Sequence, residues 1–561
     1  MGSATDSDPL SRQELSRISF IAGFVLVEFV CLLLLSGATA LLVGSSVEAY
    51  QGWSALLIAS ATPFFIVRSP AWQQRFSPIV HSFVFFGIVA AGLLISAHFY
   101  DTTYDGQAYH QEAIIRLAQG WNPVYQTLSP DIAGWLWVTH YAKGTWIVAA
   151  SLYEMTGSIE YGKLPNLLLI AATFCITVSL LLRTEVLSTS LAVVIAFLLA
   201  FNPISAQQSL GFLVDGQLAS LLTSLIAVLV YQFFTQNAAT RLLTLFLVVA
   251  LVNVKFTAVP YTVVIGVGFV IAAILWKRLR ELRAVIVYAC AAFVIGIAGV
   301  GYNPYVTNTL NNGNPFFPLF GEGRIDALSD FTPPNFVERN RVERLFLSAF
   351  GKTSRDSSHA SELKVPFAVG RSEVVAFAAP NVKIGGWGPL FGGTLLLNAL
   401  GIGALAWSSR NDLRRALPHL FVMVIVLATA LIHGEAWWAR FAPQLWLIPV
   451  IGAVILVGSN SRVARLVGNV VVVVLLANVA LVGGAYALFQ SKYSRELASQ
   501  LHAVAGKHRP IDVYFGEMQS NRVRLREAGI DYRDHAAQTD LTCATTLHLA
   551  HSVTLLCEAD R

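Results

Sequence analysis

The chain has 561 residues, of which 55% are hydrophobic and only 13% are charged, and its mean hydropathy is +0.61. Soluble domains contain about 25% charged residues, so this composition excludes an ordinary soluble protein and predicts an all-α membrane protein with many spans. The net charge of +5 does not indicate nucleic-acid binding, because Lys and Arg stand in short clusters between apolar segments, where membrane topology explains them.

Apolar segments that approach the length of a membrane span recur along the whole chain. The first of them follows the polar stretch 1–19 and is longer than a signal-peptide core, which predicts an uncleaved membrane anchor. A transmembrane helix needs about 20 apolar residues, and on this basis we predict about 13 of them. They lie near residues 20–44, 53–68, 78–99, 164–182, 187–203, 216–234, 241–257, 259–276, 284–301, 389–407, 416–433, 441–458 and 466–489.

The basic clusters predict how these helices are oriented. With the N-terminus in the cytoplasm, the clusters at 12–17, 277–283, 410–415 and 462–465 fall on the cytoplasmic side, whereas the short loops opposite carry almost no Lys or Arg. The expected location is therefore the cytoplasmic (inner) membrane, with the C-terminus outside the cytoplasm. Three polar parts then also lie outside: residues 100–163, 302–388 and 490–561.

The sequence divides into two predicted domains, a transmembrane domain over 1–489 and a small extracytoplasmic α/β domain over 490–561. Strand-like and helical patterns alternate in the second domain, near residues 511–515, 522–527 and 553–557. Cys543 and Cys557 also lie there. Outside the cytoplasm they could form a disulfide, and two free thiols are the alternative.

The first outer loop has the highest density of polar side chains, at 104–110 (YDGQAYH) between Asp101 and Glu112. A charged group at membrane depth is costly unless it lines a cavity or a site, so Asp105 suggests chemistry on a substrate that is carried by a lipid. The alternative is that Asp105 caps the helix that follows. Two helical patterns in this loop are too short to span and are predicted as interfacial helices: residues 106–119 and 145–155.

A second acid, Asp215, is also followed by Gly-Gln and an apolar span. The predicted topology places it on the same side of the membrane as Asp105. If the two carboxylates converge, they could supply a general base and a hydrogen-bond or metal anchor, with His110 in support. Helix capping is again the alternative for Asp215. Whether a divalent cation, Mg²⁺ or Mn²⁺, binds between the two aspartates is left open.

Two basic residues lie close to the same side of the membrane. Lys255 stands at the end of an apolar segment, where it either extends to the interface alongside apolar surface or contacts a phosphate. Arg440 follows two tryptophans on the side that the charge rule disfavours. A guanidinium can bind phosphate bidentately, and pairing with Glu435 is the alternative for Arg440.

Several short segments in this order resemble the C-type (GT-C) superfamily of integral membrane glycosyltransferases, which includes protein O-mannosyltransferases and aminoarabinose transferases. The resemblance extends over roughly residues 78–450, and its specificity lies in the order of the segments and their topology. The matching segments are 104–110, 140–144, 156–164, 214–216 and 312–318.

The resemblance implies a sugar donor linked to polyprenyl phosphate and an inverting transfer outside the cytoplasm. It implies that Asp105 acts as the base on the acceptor or as its anchor, supported by Asp215 and His110. The donor phosphate would be bound by basic residues: Arg440, Lys255 and Lys143. The implied partners are the donor, a glycan, lipid or protein acceptor, and membrane lipids.

The predicted function is thus a glycosyltransferase in envelope glycan, glycolipid or glycoprotein assembly. One alternative is a glycolipid transporter or flippase, which would place its essential polar residues near the bilayer midplane. Another is a glycan polymerase or ligase, which would depend on arginines such as Arg440 rather than on Asp105. The conspicuous acids lie on one side of the membrane in the predicted topology, which favours the transferase.

Overall fold

The computed structural model describes residues 9–68, 77–326, 328–543 and 546–557, which are mostly helical and include one small sheet. Residues 1–8 of the polar stretch before the predicted anchor lie outside the described residues. The first 200 residues contain these α-helices: α1 Pro9–Leu42, α2 Ala49–Arg68, α3 Pro78–His98, α4 Gln111–Ala118, α5 Trp135–His140, α6 Gly144–Thr156, α7 Leu164–Thr184 and α8 Thr189–Ala200.

The middle of the chain continues with long apolar helices and then with the large loop, which folds into short helices and turns. Local sequence explains where several helices begin. Asn237 and Thr240 form a capping box at the start of α11, and Asn202 caps α9. The helices are α9 Pro203–Gln208, α10 Asp215–Tyr231, α11 Ala238–Val254, α12 Ala258–Leu275, α13 Leu279–Val294, α14 Thr307–Asn312, α15 Arg341–Ala349 and α16 Arg371–Ala376.

The last part of the chain has three further apolar helices and a helix that leads into the C-terminal sheet. Ser409 caps the first turn of α18 through the Asp412 amide, so α17 and α18 are separated by a single residue. The remaining helices are α17 Phe391–Ser408, α18 Arg410–Leu431, α19 Leu447–Val457, α20 Arg462–Ala505 and α21 Asn521–Glu527.

A helix forms on each of the predicted membrane segments, but the number of spans is not confirmed. Within the described residues, eight helices are long and apolar enough to cross a membrane by length and composition. Polar or proline-containing breaks shorten the others, and non-helical backbone at membrane depth is tolerated where it is buried in protein. Four apolar helical stretches are shorter: Thr189–Ala200, Asp215–Tyr231, Ala238–Val254 and Pro443–Val457.

The two predicted interfacial helices form as α4 and α6, but the prediction that they lie on the membrane is wrong. All of residues 144–152 in α6 are buried, and most of α4 is buried as well. A helix that is covered on every side is an internal helix. Both therefore pack inside the protein, where α6 contacts α1, α2 and α4.

The C-terminal region contains a four-stranded sheet in the order β2-β1-β4-β3, with β1 parallel to β2 and antiparallel to β4. The predicted strands and helix are present, and Cys543 is joined to Cys557 by a disulfide. Helix α20 runs without a break through residue 490, and Leu497 and Leu501 of its last turns pack in the core of the sheet. The strands are β1 Ile511–Tyr514, β2 Tyr532–Asp534, β3 Thr546–His548 and β4 Leu555–Cys557.

Two large hydrophobic cores hold the helices together. One is formed mainly by α1, α6, α7, α10 and α11, and the other by α8, α17, α19 and α20. Helix α7 contributes to both. Four of the polar residues that the sequence analysis singled out meet between these two groups of helices: Asp105, Asp215, Lys255 and Arg440.

Candidate functional site

Asp215, at the start of α10, is the centre of a buried charged cluster. Its Oδ1 accepts a hydrogen bond from Lys255 Nζ at 2.6 Å. Its Oδ2 accepts from Arg440 Nε at 2.8 Å and from Gln208 Nε2 at 3.1 Å. The N-cap position belongs to Val214, so the capping interpretation of Asp215 is wrong. The carboxylate instead compensates two cations that could not be buried alone.

Arg440 joins Asp215 to Asp105. Its Nη2 donates to Asp105 Oδ2 at 3.0 Å, and the Asp105 side chain is 28% exposed whereas that of Asp215 is fully buried. Asp105 makes no capping hydrogen bond, so that alternative is also wrong. The pairing of Arg440 with Glu435 is wrong too, because Glu435 pairs with Arg344 at 3.3 Å.

The electrostatics of Arg440 follow from this position. Burial alone would disfavour its charge, but Asp215 and Asp105 outweigh that effect and raise the pKa of Arg440 above its ordinary value. The guanidinium also lies 5.5 Å from the ring centre of Trp438. It therefore stays charged at any physiological pH, with one donor group directed to a carboxylate that is open to solvent.

Lys255 enters the cluster from a break between α11 and α12. Its backbone is extended, and three non-helical residues separate the two helices. The side chain is buried, and its ammonium lies 4.1 Å from the centre of the Phe441 ring as well as on Asp215. Lys255 therefore does not extend to the interface, and that alternative is wrong.

His110 is buried beside the cluster, at the end of a five-residue π-helical turn over Gly106–His110. Its Nδ1 accepts a hydrogen bond from Trp146 Nε1 at 2.7 Å, which places the ring proton on Nε2. Nε2 has no hydrogen-bond partner among the residues that the structure describes. Burial lowers the pKa of His110 to about 4, so the ring is neutral and can donate from Nε2.

The buried neutral His110 predicts a loss of stability in acid. The unfolded chain binds a proton at the ordinary pKa of 6.5 whereas the folded protein does not until about pH 4. Stability should therefore fall as the pH decreases from 6.5 to 4, by up to about 3 kcal/mol. Thermal unfolding of the protein in nanodiscs across this range measures the slope. His110→Gln should flatten it, and an unchanged slope in that variant would contradict the assignment.

Lys143 lies apart from the other two predicted phosphate-binding residues. Its ammonium donates to the carbonyl oxygens of Thr139 and Tyr141 at 2.9 and 2.7 Å. It is 5.4 Å from the ring centre of Trp146 and has no carboxylate partner among the described residues. Burial lowers its pKa well below the ordinary value. Lys143 is thus held by the backbone and does not join Arg440 and Lys255.

The residues do not fit a divalent cation between the two aspartates. Both oxygens of Asp215 already contact cations, and Asp105 shares Arg440. Within the described parts of the chain, no group of three or more His, Cys, Asp or Glu side chains could hold a metal ion. The carboxylates are neutralised by side chains instead.

Asp101 has a structural role that sequence reasoning did not assign. It is fully buried, and it accepts hydrogen bonds from the Thr103 amide at 2.8 Å and the Phe212 amide at 3.1 Å. The first contact shapes the loop that carries Asp105, and the second lies in the turn before Asp215. Asp101 thus ties together the two loops that bring the acids to Arg440. Its only sequence signal was its position beside the acid loop.

The C-terminal domain holds the same loop from the other side. Arg524 donates to Glu160 Oε1 at 2.7 and 3.0 Å and to the Asp101 carbonyl oxygen at 2.6 Å. Arg522 pairs with Glu112 through both of its terminal nitrogens. Arg524 and Glu160 are both buried. The domain is therefore fastened to the first outer loop by buried ion pairs.

Arg524→Ala is expected to destabilise the attachment of the C-terminal domain by about 3–5 kcal/mol, because Glu160 would keep only one cation partner in a buried place. Limited proteolysis and thermal unfolding in nanodiscs measure the effect. Arg526→Ala is the matched control, since Arg526 is exposed on the same helix. Equal protease resistance of the two variants would contradict the role of Arg524 in attaching the C-terminal domain.

An apolar cavity of about 680 Å³ lies beside α10, further into the bundle. Its first α10 residue, Thr223, is eight positions after Asp215, which corresponds to about 12 Å along a helix. The cavity is lined almost entirely by apolar side chains from α7, α8, α10, α12, α18 and α19. Its lining suits an apolar chain rather than a polar ligand.

Comparison with known proteins finds similarity among solved structures. The chain resembles ArnT from Cupriavidus metallidurans in the apo state, with 12% identity, a TM-score of 0.41 and coverage of 82% of this chain and 87% of that chain. No protein-family model and no curated protein sequence matches. Similarity at this level carries no information on activity, which has to be inferred from the site.

Proposed function

We propose that the chain is a GT-C-type membrane glycosyltransferase that moves a sugar from a polyprenyl-phosphate-linked donor to an acceptor outside the cytoplasm. The observation that carries the proposal is the convergence of two carboxylates and two cations in one cluster. Asp215 is buried between Lys255 and Arg440, whereas Asp105 is partly open to solvent. This provides a candidate base beside candidate phosphate-binding groups. Envelope glycan, glycolipid or glycoprotein assembly is the expected setting.

The proposed reaction uses the shared position of Arg440. A donor phosphate would compete with Asp105 for Arg440 Nη2, because both are anions that accept hydrogen bonds from the guanidinium. Its binding would free Asp105 to accept the proton of the acceptor hydroxyl. The acceptor oxygen then bonds to the anomeric carbon while the bond from that carbon to the phosphate oxygen breaks. Attack opposite to the leaving group inverts the configuration.

The other residues support this proposal by holding charge in place. Asp215 keeps Lys255 and Arg440 beside each other, and the two cations would stabilise the phosphate as it leaves. The neutral His110 supplies a donor, Nε2, that has no acceptor in the described part of the chain. The apolar cavity next to α10 can accommodate part of a lipid chain. Mechanistically, Asp105 is the only one of these groups that must change its protonation state.

The test is a direct assay of donor consumption. The purified protein in nanodiscs is incubated with farnesyl-phosphate-linked mannose, glucose, galactose and aminoarabinose, and release of farnesyl phosphate is measured by mass spectrometry. We expect release from at least one donor, strongly reduced in Arg440→Gln. A protein that consumes none of these donors but moves a fluorescent glycolipid across liposome bilayers would be a transporter instead.

One observation favours the transporter as the second candidate. Glu28 lies midway along α1, is buried, and accepts a hydrogen bond from Thr62 at 2.9 Å, while its other oxygen has no partner within the described ranges. Carboxylates within membrane spans are costly and often functional. For the transferase, Glu28→Gln should leave farnesyl phosphate release unchanged, whereas a carrier should lose glycolipid movement in that variant.

A further inference from the structure

The large loop presents apolar side chains on its outside. Helix α15 is strongly amphipathic, yet Val342 and Phe346 on one face are 57% and 52% exposed. Leu345, on the edge of the same apolar stripe, and Leu347 pack into the protein, where they contact two different hydrophobic clusters. Val342 and Phe346 stay outside these contacts and form an exposed apolar patch, which indicates a partner for it.

A neighbouring stretch of the same loop also exposes apolar side chains. All of residues 365–370 (VPFAVG) are exposed, and no charged residue occurs between Lys364 and Arg371. The stretch is fixed next to the end of α15, because the Lys364 amide donates to the Phe350 carbonyl oxygen at 3.1 Å. We define Val342, Phe346, Val365, Phe367 and Val369 as the loop apolar surface.

Two contacts place this surface at the ends of membrane helices. Arg341 Nη1 donates to the carbonyl oxygen of Leu431, the last residue of α18, at 2.8 Å. The ring of Phe367 lies against Gly393, in the first turn of α17, where an added Cβ would come within 2.5 Å of it. The loop apolar surface therefore lies at the level where both helices leave the apolar part of the bilayer.

The surface also continues the lipid-facing side of α17. That helix is long and apolar enough to cross a membrane, and it exposes Leu400 and Trp407 by 72% and 95%. Phe367 touches its first turn and is itself exposed. A row of apolar side chains therefore leads from the bilayer core onto the loop, and Arg371 stands at its edge, where a cation can contact lipid phosphates.

We propose that the loop apolar surface is inserted in the leaflet at this end of the bundle, so that its partner is the acyl-chain and headgroup boundary of the membrane itself. The insertion anchors the loop beside the site. Leu347 packs with Trp437 and Trp438, and Arg344 pairs with Glu435. The membrane thereby supports the segment that ends in Arg440. The anchoring does not depend on which reaction the site performs.

The experiment measures depth with nitroxide labels in liposomes. Cys31, Cys175 and Cys290 are replaced by Ser, and single cysteines are introduced as Val365→Cys and Phe367→Cys. Accessibility to oxygen, which concentrates in the bilayer, is compared with accessibility to a water-soluble nickel chelate. Leu400→Cys serves as the lipid-exposed control, and His359→Cys as the aqueous control, because His359 is 86% exposed on the same loop.

We expect the oxygen-to-nickel ratio at 365 and 367 to exceed that at 359 by several-fold and to approach that at 400. Ratios equal to that of His359→Cys would overturn the proposal. A second measurement needs no substitution: wild-type protein is irradiated with a phospholipid that carries a diazirine on its acyl chain. Adducts should map to 341–350 and 364–371. Adducts confined to the membrane helices would also overturn it.

Discussion

Asp105→Asn is expected to reduce sugar transfer by about 10²–10⁴-fold while the protein stays folded. The amide has nearly the same shape as the carboxylate but cannot accept the proton of the acceptor hydroxyl. The structural cost is small because the Asp105 side chain is partly exposed and Arg440 keeps its contact with Asp215. Release of farnesyl phosphate from the active donor measures transfer, and thermal unfolding in nanodiscs monitors folding.

Asp131→Asn is the matched control for this variant, because Asp131 is an exposed acid of the same loop whose side chain accepts a hydrogen bond from Ser129. It should transfer sugar at the wild-type rate. Comparison with Arg440→Lys distinguishes the transferase from a glycan polymerase or ligase. An enzyme of that kind, which depends on arginine, would lose activity in Arg440→Lys and keep it in Asp105→Asn. Near-normal transfer by Asp105→Asn would remove the proposed base.

Asp215→Asn is expected to destabilise the protein by about 3–5 kcal/mol, because it leaves two cations buried with a neutral partner. Lys255 would lose its only carboxylate partner among the described residues, and Arg440 would keep its contact with Asp105. The midpoint of thermal unfolding in nanodiscs should fall clearly. Activity should fall as well, since Lys255 and Arg440 would no longer be held together.

A double variant distinguishes loss of charge balance from a simple packing defect. Adding Lys255→Met to Asp215→Asn removes one unpaired buried cation, so the double variant should be more stable than the single one. If Lys255→Met instead lowers the free energy of unfolding further, by as much as it does alone, the two side chains are not coupled. An unfolding midpoint of Asp215→Asn equal to that of the wild type would show that the cluster is not buried as described.

Local sequence patterns predicted well where helices form, but they predicted poorly whether lipid or protein covers each helix. A helix forms on each predicted membrane segment because about 20 apolar residues suffice to define one. The internal position of α6 was missed, since a short apolar helix looks the same in sequence whether lipid or protein covers it. In the structure, residues 144–152 are buried by α1, α2 and α4. The orientation of the bundle in the membrane stays a prediction.

For the candidate site, the sequence identified both acids and both cations of the cluster, together with Lys143, which lies apart from it, but it left their roles open. Helix capping and a role as base or anchor were both compatible with Asp105 and Asp215, because both acids begin the same Asp-Gly-Gln pattern. Almost nothing in the sequence indicated the structural roles of Asp101 and Arg524. Their importance comes from contacts across hundreds of positions in the chain.

The sequence by itself determined that this is a helical protein of membrane-type composition, with its candidate acids near the ends of apolar segments. Only the tertiary structure decided that Asp105, Asp215, Lys255 and Arg440 form one cluster. The physical reason is distance along the chain: Arg440 and Asp215 are separated by 225 positions, and no local periodicity encodes such a contact. These contacts also excluded helix capping for Asp215, because its carboxylate oxygens lie within 3 Å of the cations of Lys255 and Arg440 instead.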